Sequence, residues 1–90
     1  MITAREQSEK ISKLKSLGLT RKQIGIVLHC MEYVFLYADE IEEKCFSRDI
    51  IRRLVKKGVL EHHEADRYDG EMWDLTTQFN FKIIGALQNA

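Results

Sequence analysis

Five cations crowd into ten residues of this chain: Arg48, Arg52, Arg53, Lys56 and Lys57. On one helix they would form a surface for phosphate oxygens or guanine edges. Guanidinium forks bind both, and each neutralised phosphate releases counterions. A sixth cation, Arg67, stands among Glu61, Glu64, Asp66, Asp69 and Glu71. Carboxylates that dense repel a phosphate backbone, so this segment either stands clear of nucleic acid or meets a protein. The plain alternative for the five-cation segment is a solvated helix face.

Other chemistry is thin. His62 and His63 adjoin on an expected strand and therefore point to opposite faces. They could gather around zinc with His29, Cys30 and Cys45, but the spacing matches no zinc pattern. No serine sits in a nucleophile elbow, and no glycine-rich phosphate loop is present. The expectation is no enzyme activity, no cofactor and no metal.

The elements that must position these residues are punctuated clearly. Thr3 and Glu6 have the spacing of a capping box, and Ile11, Leu14 and Leu17 make one apolar stripe. Gly18 suits the position just past a helix end, which gives a first helix over about 4–17. Thr20 and Gln23 offer a second capping box. The apolar residues that follow, from Ile24 to Ala38, cover nearly every face of a helix over 21–38. Such a helix is central to the core or lies at a subunit contact. The run also allows a break near Leu36 to Asp39, with Asp39–Lys44 as a separate short helix.

Ser47 caps the basic helix, over 47–57, with Ile50, Ile51, Leu54 and Val55 as its buried stripe and Gly58 at its end. Val59–Glu64 reads as a strand, Asp69-Gly70 as a hairpin turn, and Met72–Leu75 as the returning strand, giving a hairpin over 59–75. Thr76 or Thr77 caps a last helix over 77–88, in which Phe79, Ile83, Ile84 and Leu87 are apolar. Ninety residues make one domain over 1–90, mainly α with a small β-hairpin, an α+β chain.

Charge is segregated although the total is zero. Residues 1–22 carry +4, residues 23–43 carry −5, residues 44–57 carry +5 and residues 58–77 carry −5, with Lys82 adding the last positive charge. Blocks of this kind either neutralise each other across the fold or serve partners of opposite sign. The polar, mixed-charge N-terminus is not a signal or transit peptide, and no apolar run spans a bilayer. The expectation is a cytoplasmic protein with reduced thiols and no membrane partner.

In order and spacing, these parts resemble a winged helix-turn-helix domain of the MarR-like regulator type. Leu19-Thr-Arg-Lys-Gln23 is similar to a helix start of that family. Asp39–Cys45 followed by Phe46–Arg53 resembles its helix-turn-helix. Lys57-Gly-Val-Leu-Glu61, Asp66-Arg67 and Asp74-Leu-Thr76 resemble its strand entry, wing and closing residues. The likeness covers about residues 18–80. Two departures stand out. The segment Ser47–Gly58 is about one helical turn shorter than a usual recognition helix, and the turn before it lacks the expected small residue.

The resemblance implies that Arg48, Arg52 and Arg53 face the major groove or its phosphates. Lys56 and Lys57 then lie near the backbone, and Arg67 is the wing residue that reaches the minor groove. It implies a small transcriptional regulator that binds double-stranded DNA as a homodimer. Surplus apolar surface on the first, second and last helices would build that dimer, the alternative being that these stripes all close one monomeric core. The alternative is a protein-interaction module of the same fold, an adaptor or inhibitor that meets its partner through the acidic wing.

Overall fold

The computed structural model describes residues 4–64 and 70–88, with side chains from Ser8 onward. The chain runs α1 (Ala4–Ser16), α2 (Arg21–Tyr33), β1 (Phe35–Tyr37), α3 (Ala38–Glu43), α4 (Arg48–Lys56), β2 (Leu60–His63), β3 (Met72–Leu75) and α5 (Thr77–Gln88). It is mainly helical with a small antiparallel sheet of order β1-β3-β2.

Hydroxyl side chains start α2, α4 and α5, as their positions predict. Thr20 Oγ1 accepts from the Gln23 N–H at 3.3 Å, while Gln23 Oε1 accepts from the Thr20 N–H at 2.9 Å. Ser47 Oγ accepts from the Ile50 N–H at 3.4 Å, and Thr76 Oγ1 from the Phe79 N–H at 3.2 Å. Thr76 also donates its hydroxyl to the Gly58 carbonyl at 2.6 Å, which ties the start of α5 to the end of α4. The Thr3–Glu6 box lies outside the described residues.

α4 ends in a Schellman motif. The Gly58 N–H reaches the Val55 carbonyl at 3.1 Å, and the Val59 N–H reaches the Leu54 carbonyl at 2.9 Å. Gly58 has φ +80°, where a side chain would be strained. α3 ends in the same way. The Cys45 N–H reaches Glu42 at 3.2 Å, and the Phe46 N–H reaches Ile41 at 2.8 Å. The left-handed position is here held by Cys45 at φ +57°. The missing small residue therefore has a structural counterpart, a cysteine in a conformation that suits glycine.

One expectation needs correction. The second helix stops at Tyr33 rather than at residue 38. Val34 takes φ 71° and ψ −53° while its N–H still bonds the Cys30 carbonyl at 3.0 Å. Phe35–Tyr37 then becomes a third strand, pairing with β3 in the register Phe35↔Asp74, Leu36↔Trp73 and Tyr37↔Met72. The free edge of β3 satisfies this segment's backbone, and Leu36 becomes fully buried opposite Trp73. The sequence also allows Asp39–Lys44 as a separate short helix, and Ala38–Glu43 is one.

The hairpin strands lie within 59–75: β2 pairs with β3 from Leu60↔Leu75 to His63↔Met72. The register is set by burial of Leu60 and Trp73 on one face, and a slip by one residue would turn both outward. Asp69 and Arg67 lie outside the described residues.

The core sits between the helices and this face of the sheet. Leu14, Val27, Leu36, Ile41, Leu54 and Leu60 are at its centre, with Phe79 and Ile83 closing it from α5. No described helix is long and apolar enough to cross a membrane.

Candidate nucleic-acid interface

α4 turns Ile51 and Leu54 into the core, which fixes where its cations go. Arg48, Arg52 and Lys56 follow at intervals of four, all exposed. Each step of four residues advances only about 40° around a helix, so the three lie on one line about 12 Å long. This line is the side of α4 turned away from Leu54. It can neutralise a row of anionic oxygens.

The other expected site residues fall elsewhere. Arg53 is exposed, and its guanidinium lies 3.1 Å from the Asp49 carboxylate one turn earlier. That pair, on the line beside the stripe, is worth little in stability but engages Arg53 in the unbound protein. Lys57 is the exposed C-cap residue of α4, with its N–H on the Arg53 carbonyl at 3.0 Å, about 100° around the helix from Lys56. The fold thus gathers three of the six expected cations into one row and separates Arg53 and Lys57 from it. Arg67 is not among the described residues.

Beside the row runs a groove of about 250 Å³ between α4, α3 and the hairpin. Its floor is apolar, from Ile41, Ile51, Val55 and Trp73, and its rim carries Arg48, Arg52, His62 and Glu71. His62 stacks on Trp73 with ring centroids 5.1 Å apart, and its Nε2 lies 3.2 Å from Glu71 Oε2. His62, Trp73 and Glu71 were not expected beside α4. Only the strand register brings them there.

The acidic segment of α3 does not neutralise the row through any described ion pair. Glu40 Oε1 accepts from the Tyr37 N–H at 3.0 Å, and Glu40 Oε2 lies 3.3 Å from His29 Nε2. That approach is close in distance but out of line, so the buried His29 Nε2 makes no hydrogen bond.

The two histidines of β2 do face opposite ways. His62 lies on the side of Trp73, whereas His63 bonds Asp74 Oδ1 at 2.9 Å and meets Phe35 edge-on at 6.3 Å. The expected histidine and cysteine candidates for zinc do not come together. Cys30 is buried, Cys45 is exposed and both are free. Burial pushes the Cys30 thiol up to about 12, helped by the nearby charges of Asp74 and Glu40, so it is a neutral core group and not a thiolate. Among the described residues, Glu61, His63 and Asp74 bring ligand atoms within 4.8 Å of one another on the outer face of the hairpin. Such a set could take a divalent ion, but the His63–Asp74 hydrogen bond already accounts for two of its members.

Compared with known proteins, the chain matches no family model, no curated protein and no solved structure.

Proposed function

We propose that this chain is a small winged helix-turn-helix regulator that binds double-stranded DNA through α4. The observation that carries this reading is the exposed row Arg48, Arg52 and Lys56 on a helix whose opposite side is locked into the core. The order of parts supports it: two short helices, α3 and α4, joined by a tight turn, lead directly into a two-stranded hairpin. Arg53 joins the contact by exchanging Asp49 for a phosphate, and Lys57 lies at its margin. The hairpin, with its dense carboxylates, stands off the duplex.

DNA recognition of this type uses two half-sites, and the proposed regulator is a homodimer. Phe81 and Ile84 on α5 support this, since they are 68% and 41% exposed on the side of that helix away from the core. A second copy covers them most simply.

The test is titration with mixed-sequence duplex at two salt concentrations. Binding should weaken steeply with salt. Removing Arg48, Arg52 and Lys56 together should flatten the slope of log K against log salt by about 0.9 per lost phosphate contact. No binding by the parent at moderate salt overturns the reading. The groove favours a second reading, because an apolar floor flanked by two arginines also suits an acidic, apolar-bearing segment of a protein. Under that reading duplex binding is absent and a partner segment protects Trp73 and Val55.

A further inference from the structure

A cleft of about 680 Å³ opens between the end of α2, β1 and the start of α3. Tyr33, Phe35 and Tyr37 supply three aromatic rings to it, and Asp39, Glu40 and Glu71 supply three carboxylates. No Lys or Arg lines it among the described residues. We propose that this cleft binds a small organic cation, an alkylated or quaternary ammonium.

The lining excludes the other ligand classes. Anions meet three carboxylates and no counter-charge. A bare metal ion needs converging oxygen or nitrogen donors, and Asp39, Glu40 and Glu71 do not bring theirs together. A neutral apolar ligand would gain nothing from the acidic side. An alkylated ammonium uses both halves: its methyl or methylene shell packs on ring faces whose quadrupoles attract it, and its charge is balanced by carboxylates at the rim.

The site is held in place by its own backbone. Phe35 and Tyr37 alternate onto the outer face of β1, with ring centroids 6.2 Å apart and planes inclined by 52°. Tyr33 is 57% exposed and rests against His29 at 4.9 Å between ring centroids. The Tyr37 N–H holds Glu40 Oε1 at 3.0 Å and so fixes that carboxylate at the cleft. Behind it, His29 Nε2 is buried and makes no hydrogen bond, although it lies 3.3 Å from Glu40 Oε2. The Glu40 charge is therefore not taken up by a bond from His29. Glu71 Oε2 is engaged by His62 Nε2 at 3.2 Å, which leaves Asp39 and Glu40 as the main counter-ions.

The experiment is a titration of the full chain with choline, followed by amide chemical shifts. The control is 3,3-dimethylbutan-1-ol, which has the same shape without the charge. Choline should shift amides in the segments 33–40 and 70–71 and saturate, and the neutral analogue should bind roughly tenfold more weakly. Tyr33→Leu and Asp39→Asn change exposed side chains, so the fold should survive, as circular dichroism will show. Each should weaken choline roughly three- to tenfold. Equal binding of the neutral analogue, shifts confined to α4, or undiminished binding in both variants overturns the proposal. Binding of a tetralysine peptide without binding of choline also overturns it and assigns the cleft to a basic protein segment. None of these outcomes depends on whether α4 binds DNA.

Discussion

Cys45→Gly should stabilise this protein. Cys45 is exposed and sits at φ +57°, held there by the hydrogen bonds from Cys45 to Glu42 and from Phe46 to Ile41. For a residue with a Cβ, the left-handed conformation costs about 1–2 kcal/mol. Glycine removes that cost but adds freedom to the unfolded chain, worth about 0.4–1 kcal/mol in the other direction. Little burial is lost, because the thiol is outside the core. The net gain is about 0.5–1 kcal/mol, or roughly 2–6 °C in Tm for a domain of this size. Cys45→Ala is the control for loss of the thiol, since it keeps the strained conformation and should melt close to the parent. Gly58 provides the mirror experiment. It closes α4 with the same pair of hydrogen bonds, and no atom lies within 4 Å of where a Cβ would stand. Gly58→Ala therefore meets no steric clash and should destabilise by about 0.5–1 kcal/mol, the backbone strain less the entropy lost from the unfolded chain. Urea or thermal denaturation of the four proteins decides the matter. A Cys45→Gly protein no more stable than Cys45→Ala would refute the argument from strain.

Other outcomes follow from the same geometry. Leu54→Ala should cost about 2–5 kcal/mol in denaturant unfolding, because Leu54 is fully buried between α4 and the sheet. Cys45 should react with a thiol reagent in the native protein while Cys30 reacts only after unfolding, and equal rates would show that Cys30 is not enclosed. The raised Cys30 pKa means that the folded state holds this proton more tightly than the unfolded one. Its contribution to stability is complete below about pH 8.5–9 and lost as the pH rises toward 12. Cys30→Ala should accordingly lose less stability than the parent over that alkaline range. Phe81→Ser should give a monomer by light scattering where the parent is a dimer, and a monomeric parent removes the two-half-site mode of binding.

Much of the fold is legible because local signals agree. Thr20, Ser47 and Thr76 cap, Gly18 and Gly58 terminate, and the α4 stripe fixes its own buried side. The misplaced boundary lies where local signals are silent. Val34–Tyr37 continues an apolar run that suits a buried helix as well as a strand, and only the free edge of β3, nearly forty residues away, decides between them. In the site, the row Arg48, Arg52, Lys56 and the Asp49–Arg53 pair can be read from spacing by four. The groove cannot, because His62, Trp73 and Glu71 reach α4 through the sheet.

The charge blocks show the same limit and clarify what the surface is for. Mutual neutralisation requires ion pairs between the basic and acidic segments. The described pairs take another form. Asp49 pairs with Arg53 inside α4, while Glu40, Glu71 and Asp74 each lie against a histidine, His29, His62 and His63. None of the described ion pairs joins Arg48, Arg52 or Lys56 to an acidic residue. A surface arranged only for stability would place Arg48 or Arg52 against the carboxylates of α3. Here Glu40 instead caps a backbone N–H at the far end of that helix. The cost of leaving like charges together is small in water and grows at low salt. The proposed duplex, laid along the row, would relieve that repulsion most at low ionic strength.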